Sequence, residues 1–142
     1  VLNPSGVRFG SAEIYQAIDR FHEFEDTLCV GQRRSQDSDE SVILFIKMRD
    51  SKTLTQPLIA AVRSAIASSL SPRHVPKYIF QVPEIPYTTN GKKIELAVKQ
   101  IVSGARITPS GAVMNPESLP FFERFALDSY LQGQQGQPKS RL

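Results

Sequence analysis

The amino-acid sequence predicts an α+β fold, a small, mostly antiparallel sheet flanked by helices. Its 142 residues are enough for one modest core without covalent staples. The run Val42-Ile43-Leu44-Phe45-Ile46 is apolar without alternation, the pattern of a strand covered on both faces. Around it, the hydrophobic periodicities follow the order helix, strand, strand, helix, strand, helix, which fits a sheet with helices packed against it.

The first helix is predicted over residues 11–24. Ser11 is placed to cap it, Glu13 suits its positive end, and Ile14, Ala17, Ile18 and Phe21 recur at helical spacing. Thr27 to Arg33 reads as a strand, the polar stretch Arg34 to Glu40 as a hairpin loop, and the apolar run as the second strand. A second helix starts near Thr55 with Pro57 in its first turn, and it is expected to bury Leu58, Val62, Ala65, Ile66 and Ser69. Breakers from Ser71 to Pro76 end it. Tyr78 to Val82 forms a third strand closed by Pro83, and Asn90-Gly91 turns the chain at Lys92. The last strong helix carries Ile94, Ala97, Val98 and Ile101 on one face and stops at Gly104.

Residues 1–104 are therefore expected to form the domain. Residues 105–131 form a C-terminal extension in which Asn115-Pro116-Glu117 starts a short helix presenting Phe121, Phe122 and Phe125. The glutamine- and glycine-rich residues 132–142 have no apolar side chains to offset ordering and are expected to be a disordered tail. Val1 stands where an initiator methionine would, so the chain is expected to be cut from something longer.

Composition narrows the function classes. A formal net charge of +3 and a calculated pI near 9.2 are mildly basic. There is no Lys/Arg stripe interleaved with aromatics, so no nucleic-acid partner is expected, and an anionic small molecule fits the charge equally well. No apolar run approaches the roughly 20 residues that span a bilayer, so no membrane partner is expected. The single Cys29 has no cysteine or histidine at metal-ligand spacing; it reads as a core residue in a reducing, cytoplasmic setting, and no protein-bound metal is expected. His22 and His74 pair with no nucleophile and carboxylate at a suggestive spacing and are given no catalytic role.

Two short segments carry candidate chemistry. In Thr88-Thr89-Asn90-Gly91-Lys92-Lys93, glycine lets backbone approach a ligand while lysine offers a compact charge to phosphate or carboxylate oxygens. Read locally, it is an Asn-Gly turn with solvated lysines, the common case for such a sequence, and it lacks the upstream glycine of a P-loop. Gly6-Val7-Arg8-Phe9-Gly10-Ser11 is a turn with a surface arginine or a second ligand-facing loop.

The two segments together are more specific. Gly6-Val7-Arg8-Phe9-Gly10-Ser11-Ala12-Glu13-Ile14, followed about eighty residues later by Ile85-Pro86-Tyr87-Thr88-Thr89-Asn90-Gly91-Lys92, resembles the adenylate-forming superfamily of acyl-CoA synthetases, peptide-synthetase adenylation domains and luciferases. Within it, Leu2-Asn3-Pro4, Phe9 to Tyr15, Arg73-His74-Val75-Pro76, and Asn90 to Lys93 followed by Ala97 to Ile101 are most similar to the acetoacetyl-CoA synthetases. Glu95 stands where many members of the superfamily carry a basic residue, Lys93 doubles the lysine, and Val7 replaces a frequent polar residue.

The resemblance implies the mobile C-terminal domain of an ATP-dependent acetoacetate:CoA ligase. Lys92, favoured over Lys93 by its register after Gly91, is then the catalytic lysine that clamps the reacting carboxylate and α-phosphate. Arg8 matches a nucleotide-associated arginine, Ser5 and Gly6 line the pantetheine path of coenzyme A, and Arg63 faces the 3′-phosphate of coenzyme A. ATP, Mg²⁺ and coenzyme A belong to the full-length enzyme; none is expected to bind tightly here, and this chain alone is expected to be inactive. Its partner would be the N-terminal adenylation domain of the same polypeptide. An acetyl- or propionyl-CoA synthetase, and a non-catalytic domain binding protein or nucleic acid, stay open as alternatives.

Overall fold

A computed structural model describes residues 2, 4, 9–88, 94–105, 113–127 and 130–131. Among these residues, three strands form one sheet in the order β1 (Phe24–Gln32), β2 (Ser41–Met48), β3 (Tyr78–Gln81). Helices α1 (Ser11–Ala17), α2 (Gln56–Ser69) and α3 (Glu95–Val102) pack around it. The expected α+β architecture is present. β1 and β2 pair antiparallel, with Cys29 opposite Leu44 and Gly31 opposite Val42. β2 and β3 pair parallel, with Phe45 opposite Phe80. A parallel pair needs a long crossover, and α2 supplies it.

β2 is buried on both faces, so its alternate side chains feed two separate cores. Ile43 and Phe45 join Leu28 and Val30 of β1, Phe80 of β3, and Val98, Ile101 and Val102 of α3. Val42, Leu44 and Ile46 join Cys29, Ile79, Val62 and Ile66 of α2, and Ile14 of α1. Helices α1 and α2 therefore cover one face of the sheet and α3 the other. Cys29 is fully buried, as its expected core role requires.

Residues 113–127 and 130–131 contribute to the α3 face. Short 3₁₀ segments at Pro116–Ser118 and Pro120–Ala126 bring Phe122 and Phe125 onto the sheet. Their ring centroids lie 4.9 and 4.8 Å from that of Phe45, and Phe125 is also 4.8 Å from Phe80. The buried Gln32 amide donates to the carbonyls of Val102 and Phe125, both at 2.8 Å, tying α3 to this aromatic segment. The anticipated aromatic helix is thus 3₁₀ in form and packs on this domain.

Three local expectations are corrected. The first helix ends at Ala17, not near residue 24, because Ile18 leaves helical geometry and Phe21 folds back to stack on Phe24 at 5.3 Å as β1 begins. Gly10, not Ser11, is the N-cap residue; the Glu13 carboxylate accepts its N–H at 3.0 Å. Ser69 is exposed, because the buried stripe of α2 ends at Ala65 and Ile66. Thr55 does cap α2, its hydroxyl accepting the N–H of Leu58. Gly104 stands just past α3 with φ +98°, a left-handed position that glycine adopts without strain. The expected turn at Asn90-Gly91 and the tail from residue 132 lie outside the described residues.

Phe125→Ala is predicted to cost about 3–5 kcal/mol, since it removes a fully buried ring from the aromatic cluster. Phe121→Ala, which truncates a partly exposed ring under Arg124, should cost distinctly less. Urea denaturation of the two variants measures the difference.

Candidate functional site

The two motif segments leave the described structure at anchored points. Leu2 and Phe9, both buried, form an isolated antiparallel bridge, with N–H to carbonyl distances of 2.7 Å (Leu2 to Phe9) and 2.9 Å (Phe9 to Leu2). Ser5, Gly6 and Arg8, between them in the sequence, lie outside the described residues. The second motif enters through Ile85 to Thr88. Thr88 bridges Val113, and the N–H of Met114 donates to the Tyr87 carbonyl at 2.9 Å. Lys92 also lies outside the described residues.

Asn115 holds the entry to the second motif. Its buried side-chain oxygen accepts the Tyr87 N–H at 3.1 Å, and its amide donates to the Ile85 carbonyl at 3.1 Å. Read from sequence, Asn115 is only a helix start. An Asn-Pro pair signals a turn and gives no sign of a clamp on residues 28 and 30 positions away.

A second network joins α1 to α3. The Ser11 hydroxyl lies 2.9 Å from each oxygen of the Glu95 carboxylate, and the Tyr15 hydroxyl donates to Glu95 Oε2 at 2.6 Å. The Tyr15 oxygen accepts the N–H of Cys29 at 2.9 Å. Because β1 is the edge of the sheet, this N–H faces away from β2, and Tyr15 covers it. The Ser11–Glu95–Tyr15 network therefore wraps around the β1 edge and links helices from opposite faces. One turn further along α3, Lys99 pairs with the largely buried Glu40 at 3.1 Å. Gly31 makes room for this pair, since a Cβ there would stand 2.3 Å from Glu40 Cδ. A cleft of about 380 Å³ opens among Leu2, Ser11, Gly31, Glu95 and Lys99.

Burial and the bond to Glu95 push the Tyr15 phenol well above its usual pKa, so it stays protonated and donates to the carboxylate. Neither partner of Glu95 was legible locally, because 84 and 80 residues separate it from Ser11 and Tyr15.

Arg63, the remaining sequence candidate, lies on α2. Its Nη1 donates to the Pro76 carbonyl at 2.7 Å and its Nη2 to the Lys77 carbonyl at 3.3 Å, fastening α2 to the chain entering β3. Desolvation lowers its pKa from the ordinary arginine value. His74 bonds Ser71 through Nδ1 at 2.7 Å, approaches the Glu13 carboxylate at 3.5 Å and packs against Phe9 with ring centroids 4.4 Å apart. These contacts give it a structural place beside the first motif. Among the described residues, no three His, Cys, Asp or Glu side chains form a group able to hold a metal ion, and no helix is long and apolar enough to cross a membrane.

No protein-family model matches the chain. Acetoacetyl-CoA synthetase of Danio rerio is 50% identical over 122 residues, covering 86% of this chain and 18% of that protein. The Rattus norvegicus acetoacetyl-CoA synthetase is 50% identical over 121 residues, covering 85% and 18%. Malonamoyl-CoA synthetase vrtB of Penicillium aethiopicum is 49% identical over 130 residues, covering 88% and 18%. The chain thus spans about a fifth of the length of these relatives. Among solved structures, acetoacetyl-CoA synthetase from Streptomyces lividans superimposes with a TM-score of 0.73 at 35% identity, covering 87% of this chain and 19% of that one. An acyl-CoA synthetase from Brucella canis gives 0.58 at 26% identity over 66% of this chain and 17% of that one.

The Tyr15 shift carries a pH dependence. Above about pH 10, where an unfolded tyrosine ionises, the folded chain still holds the phenol proton and binds more protons than the unfolded chain, so stability falls as pH rises. Tyr15→Phe is predicted to flatten this alkaline fall while lowering stability at neutral pH, where it strips Cys29 N–H of an acceptor. Urea midpoints on either side of pH 10 test both effects.

Proposed function

We propose that this chain, a relative of the acetoacetyl-CoA synthetases in sequence, is the domain that delivers the catalytic lysine in an AMP-forming acid:CoA ligase acting on acetoacetate. The observation that carries the reading is 50% identity to acetoacetyl-CoA synthetase across 86% of the chain. The geometry is consistent with it: α1, which begins within the first motif, and α3, which begins just after the second, are joined through Ser11, Tyr15 and Glu95.

In this reading, the carboxylate attacks the α-phosphorus of ATP, releasing diphosphate and forming an acyl-adenylate. The thiol of coenzyme A then attacks the acyl carbon and AMP leaves. Lys92 serves the first step: its ammonium bridges the carboxylate and the α-phosphate, offsetting charge that accumulates as they meet. Arg8 contacts the nucleotide. Ser5 and Gly6 line the path of the pantetheine arm, and Arg63 contacts the 3′-phosphate of coenzyme A. When bound, Mg²⁺ would supply charge neutralisation on the triphosphate; the described residues provide no cluster to hold it. The proposal assigns residues 1–104 to the mobile domain, residues 105–131 to an extension of it, residues 132–142 to a tail, and the adenylation domain of the same polypeptide as the partner. A cytosolic setting accords with the lone Cys29.

A second substrate is favoured by the 49% identity to malonamoyl-CoA synthetase. Acetoacetate and malonamate are both short carboxylates with a carbonyl two carbons from the carboxyl carbon, one ending in methyl and the other in an amino group. Acetate and propionate lack that carbonyl. Diphosphate exchange by the full-length enzyme with the four acids ranks them; highest exchange with acetate or propionate removes the acetoacetate assignment.

In the full-length enzyme, Lys92→Ala is predicted to slow adenylation by roughly a hundredfold or more, while thioester formation from supplied acyl-adenylate survives. Equal loss in both half-reactions rules out the clamp. Arg63→Ala is predicted to raise the KM for coenzyme A by roughly tenfold, the order of one lost charge-assisted contact. With dephospho-coenzyme A the variant and wild type should converge; a fall in Tm without that selectivity limits Arg63 to fastening α2.

A further inference from the structure

We infer that Glu95 is a positioning residue for Lys92, holding the start of α3, three residues further along the chain, against α1. The role rests on the reading of Lys92 as the adenylation lysine.

Glu95 opens α3 and lies three residues after Lys92. Its carboxylate receives the Tyr15 hydroxyl at 2.6 Å and the Ser11 hydroxyl at 2.9 Å. The first distance is in the range of a charge-assisted O–H to carboxylate bond, stronger than a neutral one. Tyr15 is itself fixed by the Cys29 N–H, so the carboxylate is tied to the backbone of β1 through one side chain. The Lys99–Glu40 pair holds the same helix one turn on, and residues four apart lie on one helix face. Glu95 and Lys99 thus pin α3 at two points along one side.

Three extended residues reach at most about 10 Å. Glu95 is thus the anchored residue within that reach of Lys92 along the chain, and its anchor is the first residue of α1. Electrostatic catalysis needs this economy, because a misplacement of about 1 Å can cost on the order of a hundredfold in rate. The carboxylate would touch neither ATP nor acid; it acts through the lysine.

The test uses the full-length enzyme and both half-reactions. Glu95→Ala is expected to slow acid-dependent ATP–diphosphate exchange by roughly ten- to a hundredfold, with thioester formation from supplied acyl-adenylate within about twofold of wild type. Glu95→Gln, which keeps an acceptor for Tyr15, should recover part of the loss. In a Lys92→Ala background, Glu95→Ala should add nothing, because both substitutions remove one device. Tyr15→Phe and Ser11→Ala, milder changes to the same network, should show the same selective loss and carry the test if Glu95→Ala does not fold. Equal loss in both half-reactions, or additivity with Lys92→Ala, assigns Glu95 to folding alone and overturns its positioning role. A wild type without exchange, or exchange indifferent to Lys92→Ala, overturns the adenylation reading and the role of Glu95 with it. Robust Lys92-dependent exchange that ignores Glu95, Tyr15 and Ser11 overturns only the latter.

Discussion

The double burial of β2 is the constraint on which the rest of the architecture depends. Val42 to Ile46 are at most 3% exposed, and consecutive residues of a strand point to opposite faces. No single layer of helices can cover both sets. The chain therefore places α1 and α2 over Val42, Leu44 and Ile46, and α3 with the aromatic segment over Ile43 and Phe45. Burying one large apolar side chain is worth about 1.5–3 kcal/mol, so leaving either face open would forfeit several times that.

Covering both faces creates a problem at the edge. α1 and α3 lie on opposite sides of the sheet and share no core, yet α1 begins within the first motif and α3 just after the second. The polar network around β1 resolves this without burying an unpaired charge. Tyr15 satisfies the outward N–H of Cys29 and gives its own proton to Glu95, while Ser11 serves the same carboxylate. Each partly buried group finds a partner, the condition under which such a network rigidifies a structure rather than weakening it.

Sequence periodicity conveyed the parts of the fold that depend on one residue's neighbours in the chain. β2, α2 and α3 were legible because runs and i, i+3, i+4 spacings report burial directly, and Thr55 was legible as a cap for the same local reason. The end of α1 was not: Phe21 continues the helical spacing from Ile14 and Ile18, but its ring is used in a turn against Phe24. Nor was the parallel pairing of β3, since the apolar pattern of Tyr78 to Gln81 is the same in either direction. Ser11 shows the limit most clearly. A serine before an apolar helix looks like a cap, but Gly10 and Glu13 already provide one, and its hydroxyl goes to a residue 84 positions away. Of the candidate site residues, only Arg63 falls among those described; Lys92, Arg8, Ser5 and Gly6 enter through the resemblance and have no local signature beyond glycine and charge.

The two ends of the lysine segment are held differently, and the difference has a physical sense. Upstream, Ile85 and Tyr87 are fixed by the neutral amide of Asn115 and by backbone pairing with Val113 and Met114, interactions that work at any ionic strength. Downstream, the hold at Glu95 is a carboxylate at the start of a helix, where the backbone dipole favours negative charge. In the proposed reading, that negative charge sits three residues from a lysine whose work is to meet anions. Direct pairing of Lys92 with Glu95 would neutralise the clamp. Two hydroxyl donors already occupy the Glu95 oxygens, which lowers their capacity to capture an ammonium and, in that reading, would leave the lysine's charge for its substrates. A carboxylate tied to hydroxyls can thus lie three residues along the chain from such a lysine without quenching it.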